Sequence, residues 1–224
     1  MSSQQAQKIN AAKGALELVK NGMCVGLGSG TTVKEFITLL GQRVKKEKLG
    51  VCVVCTSYDT RMLAIENGIW VSEPDAITKM DLAIDGADVV TKTALLKGGG
   101  AALTREKIID YAATEFVVIV DESKVKETLT GEVVVEVLPF AVPFIVPTLK
   151  KYCKNPKLRM SSEKLGPIVT DNGGFIIDCE MNITEKDAKK IETELNTIPG
   201  VVENGIFTKF SKIIIGQENG YRIL

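Results

Sequence analysis

The stretch Lys97 to Lys107 reads K-G-G-G-A-A-L-T-R-E-K and carries the residue types that a proton transfer needs. Three consecutive glycines, Gly98, Gly99 and Gly100, let a backbone come close to a ligand. A cation, Lys97, stands before them, and a carboxylate, Glu106, follows on a predicted helix. On that helix the residues three and four positions from Arg105 are Ala101, Ala102, Ile108 and Ile109, which puts Arg105 within the apolar arc. Glu106 has Ala102, Leu103, Ile109 and Asp110 at the same spacings and falls at the border of that arc. A buried charge needs a partner or a purpose. For Arg105, an ion pair with an aspartate suffices. Glu106 fits a carboxylate at a pocket wall with a raised pKa. The chain has no histidine, so any acid or base must be Asp, Glu, Lys, Tyr or Cys, tuned by its surroundings.

Three further clusters could serve a site. Gly28-Ser29-Gly30-Thr31-Thr32 joins an apolar run to a helical pattern. Backbone N–H groups at a helix start, with hydroxyls, suit a phosphate; a tight turn with a Thr N-cap explains the same residues. The segment lacks the Lys of a Walker A loop and is out of register for G-x-G-x-x-G. Asp85-Gly86-Ala87-Asp88 sets two carboxylates at a strand end, able to bind a metal, bind sugar hydroxyls or move protons, or simply to cap and turn. Lys124 follows another strand end and Asp121, as a phosphate ligand or a solvated lysine.

These clusters require a scaffold of strands that end in loops. Helix is predicted over 4–20, stopped at Asn21-Gly22, and strand over 23–27. A helix through Phe36, Ile37, Leu39 and Leu40 follows, then strand 51–55, helix 58–67, strand 82–84, helix 101–113 and strand 116–120. Alternation of this kind argues for a parallel sheet flanked by helices, with ligands beyond the carboxyl ends of its strands. After about residue 125 the pattern changes. Strands are predicted at 133–137, 168–170, 174–177 and 201–202, with a proline-rich run at 139–147 and a helix over 185–196. The expected fold is α/β: a Rossmann-like parallel sheet flanked by helices, with a second, smaller α+β lobe. Residues 1–131 plus 207–224 form the larger domain and 132–206 the smaller, with Ile213 to Ile215 as a strand returning to the first lobe.

Composition narrows the classes. Lys plus Arg number 28 and Asp plus Glu 28, so nothing draws the chain globally to nucleic acid or to an anionic membrane. Five cysteines, an odd number, fall mostly in apolar runs and read as buried free thiols of a reducing compartment. Cys52 and Cys55 form a C-x-x-C, but in a strand they point to opposite faces, and neither a second pair nor a histidine is there to complete a zinc site. No apolar run reaches membrane-spanning length. The polar N-terminus is no secretory signal, so the expected location is cytoplasmic.

Taken in order, the segments resemble the ribose-5-phosphate isomerase A family: G-x-G-[ST]-[ST] at Gly28, D-G-A-D at Asp85, the eleven-residue glycine motif at Lys97 and D-x-S-K at Asp121. V-T-D-N-G at Val169 and I-P-G-V-V at Ile198 extend the match through the second lobe. The resemblance implies an aldose-ketose isomerase acting on a small sugar phosphate, with neither metal nor organic cofactor and no nucleic acid or membrane partner. It implies a homodimer or homotetramer. It assigns the general base to Glu106, stabilisation of an oxyanion to Lys97, and ring opening with proton movement between oxygens to Asp85. Asp88, with Gly86, Ala87 and Gly98 to Gly100, would hold the sugar. Ser29, Gly30, Thr31 and Thr32 would cradle ligand groups, with Lys124 nearby and Lys8 on the phosphate. Two positions depart from the family pattern: Val89 stands where a polar residue is common, and Gly174 where Asn is common. The rivals are an amino-sugar phosphate deaminase or CoA transferase of similar fold, whose motifs are missing, and a sugar-phosphate sensor, which needs no Glu106 and Lys97 together.

Overall fold

The computed structural model describes residues 2–224. In chain order its first elements are α1 (Ser3–Leu16), β1 (Cys24–Leu27), α2 (Thr31–Glu47), β2 (Cys52–Cys55), α3 (Tyr58–Glu66), β3 (Trp70–Val71) and β4 (Met80–Asp85). Next come β5 (Val89–Val90), β6 (Leu95–Leu96), α4 (Leu103–Ala112), β7 (Ala113–Asp121), β8 (Leu129–Val137) and α5 (Val142–Leu149). The last are β9 (Lys157–Leu158), β10 (Phe175–Ile183), α6 (Glu185–Asn196), β11 (Val201–Asn204), β12 (Ile206–Phe207), β13 (Lys212–Gln217) and β14 (Gly220–Ile223).

The chain forms two compact units. The first takes the residues up to Ala87, Arg105–Lys124 and Lys209–Leu224. Its sheet has the order β14-β13-β7-β4-β1-β2-β3. Every pairing is parallel except the terminal β13–β14 hairpin. Val25, Leu27, Leu82, Ile84, Val117 and Ile119 point to one face and form a core with Ala11, Ala12 and Ala15 of α1 and Phe36, Ile37 and Leu40 of α2. Alternation puts Gly26 and Ala83 on the opposite face. There the Ile109 side chain of α4 seats so closely that a Cβ on Gly26 would come within 2.4 Å of it.

The second unit takes Asp88–Thr104 and Val125–Thr208. A four-stranded antiparallel sheet, β11-β8-β10-β9, packs with α5 and α6 around Val133, Val135, Val137, Ile177 and Cys179. A small sheet, β12-β6-β5, carries the start of the glycine motif. Residues 88–104 pack in this unit because β6 pairs antiparallel with both β5 and β12. Helix α4 begins here with Leu103 and Thr104 and continues into the first unit.

Several elements differ from their predicted bounds. Helix α1 stops at Leu16 instead of residue 20, and the Arg43 guanidinium satisfies the carbonyls of Leu16 and Val19 at and beyond its end, at 2.7 and 3.0 Å. Helix α4 starts at Leu103, since Ala101 adopts a left-handed φ of 59°. The proline-rich run contains α5: Pro143 lies in its first turn, where no N–H is required, and Pro147 in its last. Residues 168–170 form no strand but a loop closed by the Gly174 carbonyl, which accepts from Thr170 N–H. The five cysteines are free; Cys24, Cys153 and Cys179 are buried and Cys52 and Cys55 half-buried. Burial pushes the Cys24 and Cys55 thiols up to about 12, so both are neutral near pH 7. No group of His, Cys, Asp or Glu suited to a metal occurs among the described residues. No described helix is long and apolar enough to cross a membrane.

Candidate active site

In the first unit the chain runs from β1 outward through β2 and β3, then returns to place β4 on the other side of β1. The gap between β1 and β4 is therefore the point where strand order reverses, the place where open α/β sheets bind ligands. Both flanking loops are among the predicted clusters. Gly28 follows β1, and its N–H donates to the Ile84 carbonyl at 2.9 Å. Asp85 ends β4 and is fully buried. Its Oδ1 accepts from the N–H of Ser29 at 3.1 Å and of Gly86 at 2.6 Å. A Cβ on Gly28 would stand 1.8 Å from that same oxygen, so only glycine leaves Asp85 its place. Gly30 precedes α2 with a φ of 121°, and no side chain caps the helix. The first N–H groups of α2, with the hydroxyl of the exposed Thr31 and of the buried Thr32, are suited to an anion.

Ser29 is tied into a chain of hydroxyls. Its Oγ donates to Ser57 Oγ at 2.7 Å, Ser57 Oγ donates to Thr60 Oγ1 at 3.1 Å, and Thr60 Oγ1 donates to the Gly28 carbonyl at 2.8 Å. Each hydroxyl has one proton. Thr56, 2.9 Å from Ser29 Oγ, therefore donates to it. The Ser29 proton is committed inside the chain, which fixes the Gly28–Gly30 turn. Thr56 and Ser57 directly follow β2, so the rule that polar residues after strands line a site would have found them.

The remaining charged candidates of this unit come from α1, α4 and the turn just after β7. Glu106 is 4% exposed. Lys107 and Asp110, three apart on the same helix, are also buried, a feature that counting apolar neighbours misses. Arg105 is only half-buried, with its guanidinium 5.1 Å from the centre of the Tyr58 ring, while Ile108 is 63% exposed. The helix is thus rotated from the orientation predicted for Arg105. Lys124 is half-buried just beyond β7, where Asp121 Oδ1 accepts from Ser123 N–H at 3.0 Å. Lys8 stands one turn along α1 from Gln4, whose Nε2 donates to Asp121 Oδ2 at 3.4 Å, so it lies on the helix face turned toward that strand end.

In the second unit Lys97 follows β6 directly and is 3% exposed. Its N–H donates to the Gly205 carbonyl at 2.9 Å, and its ammonium stands 5.4 Å from the centre of the Phe207 ring. Two groups grip the glycine loop. Asp88 Oδ2 accepts from Gly99 N–H at 2.9 Å. Arg159 donates from Nη1 to the carbonyls of Gly98 and Gly99 at 3.2 and 3.0 Å, while Nε and Nη2 hold Asp178. Nothing in the sequence marks Arg159, Asp178 or Phe207 as neighbours of the glycine loop, because each sits in an ordinary polar or apolar stretch far from the motif.

Residues 52–220 match the family described as ribose 5-phosphate isomerase A (phosphoriboisomerase A). A protein of that name from Methanococcus aeolicus is 47% identical over 222 residues, covering 97% of this chain and 94% of its own length. The chain belongs to the ribose-5-phosphate isomerase A family. Among solved members, the enzyme from Methanocaldococcus jannaschii superposes with a TM-score of 0.94 at 44% identity, covering 99% of both chains. A D-ribose-5-phosphate isomerase solved in complex with phospho-erythronic acid gives the same TM-score at 43% identity, covering 100% of this chain and 99% of its own. Coverage of this extent means that both units, and every segment considered above, belong to the shared family fold.

Proposed function

We propose that this chain interconverts D-ribose 5-phosphate and D-ribulose 5-phosphate through an enediolate, with Glu106 as the base and Lys97 as the oxyanion partner. The open-chain aldose loses its C2 proton to Glu106, and the negative charge that develops on O1 meets the Lys97 ammonium. Asp85 opens the sugar ring and carries the hydroxyl proton from O2 to O1. Glu106 then returns its proton to C1, leaving the carbonyl at C2. Ser29, Gly30, Thr31 and Thr32, with Gly86, Ala87, Asp88 and Gly98 to Gly100, hold the sugar phosphate. Lys124 and Lys8 supply cations for its phosphate. Remote binding of the phosphate fixes the reacting carbons.

The observation that carries this reading is that Lys97 and Glu106, nine residues apart in one glycine motif, are 3% and 4% exposed. Burying a cation and a carboxylate is costly in a structural role, and a dry setting strengthens the action of both on a developing charge. The ligand of the solved relative fits the same chemistry: phospho-erythronic acid offers a planar carboxylate in place of the enediolate. The reaction needs neither a metal nor an organic cofactor, since the carboxylate and the ammonium supply base and charge. We read the enzyme as cytoplasmic and as a homodimer or homotetramer. The latter is supported by the exposed apolar side chains of Leu138, Phe140 and Phe144 around α5.

A coupled assay with ribose 5-phosphate tests the reading. Wild type turns it over, and Lys97→Ala lowers kcat by about 10²–10³ with a smaller change in KM. A variant with only a raised KM makes Lys97 a phosphate ligand. Wild type that binds the sugar phosphate without turnover is a sensor.

A further inference from the structure

The V-T-D-N-G segment has no part in the chemistry above, yet it closes around a buried carboxylate. Glu136, in β8, is 1% exposed. Its Oε1 accepts from Thr170 Oγ1 at 2.6 Å and from Asn172 Nδ2 at 3.3 Å. Its Oε2 accepts from the hydroxyl of Thr104. Thr170 Oγ1 in turn accepts from the N–H of Asn172 at 3.2 Å and of Gly174 at 3.0 Å, which winds the loop about the carboxylate. A Cβ on Gly174 would stand 2.5 Å from Glu136 Oε1, so the departure from the family pattern at this position lies against the carboxylate. Among the described residues no cation salt-bridges Glu136, and its donors are neutral hydroxyls and an amide. A carboxylate is a costly group to bury among neutral donors for packing alone.

The partner that gives the arrangement a purpose is Thr104. It is the second residue of α4, and Glu106 is the fourth. Its neighbour Leu103 is fully buried against Val134 and Ile176, so two consecutive side chains anchor the helix start. An α-helix is stiff over one turn, and fixing residue 104 fixes the direction in which residue 106 leaves the helix. We infer that Glu136 is a positioning residue for the proton transfer, holding the first turn of α4 through Thr104 so that the Glu106 carboxylate keeps its setting. The inference rests on the assignment of Glu106 as base. A base displaced by an ångström loses about two orders of magnitude without losing substrate.

Four variants and their combinations test this on the intact chain with ribose 5-phosphate. Thr104→Val keeps the shape of the side chain and removes the hydroxyl; it lowers kcat about 10- to 100-fold, leaves KM within about threefold and leaves the fold intact by circular dichroism. Thr104→Ser restores the hydroxyl and most of the rate. Glu136→Gln, which puts an amide N–H₂ where only acceptors serve, lowers kcat in the same way. In a Glu106→Gln background, Thr104→Val causes no further loss, because the group it positions is gone. A wild-type rate in Thr104→Val, or its full loss repeated on top of Glu106→Gln, overturns the positioning role while leaving Glu106 as base. A near wild-type rate in Glu106→Gln alone removes the base assignment and this inference with it.

Discussion

The Gly28–Gly30 turn and the Gly98–Gly100 loop look alike in sequence, and the fold treats them in opposite ways. The first is fixed by what it packs against. Asp85 takes the space of a Gly28 side chain and accepts the Ser29 N–H, and the hydroxyls of Thr56, Ser57 and Thr60 close the turn from the other side. The second is fixed by its own backbone, with Asp88 on an N–H and Arg159 on two carbonyls. Within it, Gly98 has a φ of 108° and Val134 in the way of a Cβ, and Gly99 has Asp88 at 3.0 Å. Gly100 has an open surrounding and no left-handed φ, so the fold by itself gives no reason for a glycine there. The difference separates glycines whose missing side chain makes room for Asp85, Val134 or Asp88 from one, Gly100, that no neighbour in the fold requires.

Three substitutions sharpen that contrast. Gly28→Ala has the largest expected effect, since the new Cβ displaces the whole Asp85 side chain: turnover falls by more than about 10²-fold, and overpacking costs about 1–3 kcal/mol in chemical unfolding. A wild-type midpoint and rate together break the account of this turn. Arg159→Lys comes next. Lysine cannot grip Asp178 with two nitrogens and also reach two carbonyls. A drop in kcat/KM of about tenfold is expected, alongside a loss of about 1–3 kcal/mol for hydrogen bonds to a charged group. Lost stability with unchanged kinetics assigns Arg159 to the fold alone. Gly100→Ala is the mildest: its melting temperature stays at the wild-type value, while KM for ribose 5-phosphate rises about three- to tenfold, within the cost of a small overpacking. An unchanged KM makes Gly100 an ordinary surface turn.

Much of the scaffold was legible because local pattern decides it. Helix α6 occupies its predicted 185–196, with Ala188, Glu192 and Leu195 turned inward at helical spacing. Strands β4 and β7 run beyond their predicted apolar cores because their ends, Asp81 and Thr114–Glu115, are polar residues still paired in the sheet. Helix α5 was hidden by two prolines that occupy its ends. In the site, Gly28 to Thr32 and Asp85 stood out because each follows an apolar strand run, and the glycine motif stood out by its own residues, the two-residue β6 before it being too short to read. Glu136, Arg159 and Thr60 did not. Their roles depend on hydrogen bonds to residues 32 or more positions away, and pairing at that distance leaves no periodicity to read.

The central claim is that Glu106 carries the proton between C2 and C1, and solvent exchange tests it most directly. In D₂O with ribose 5-phosphate, wild type isomerises rapidly and places deuterium at C2 of the aldose or C1 of the ketose to the extent that its base exchanges with solvent. Glu106→Gln keeps the shape, binds the sugar phosphate with a near wild-type KM, and isomerises and exchanges about 10²–10⁴-fold more slowly. Glu106→Gln that turns over and labels the sugar at the wild-type rate contradicts the account and moves the base to Asp85.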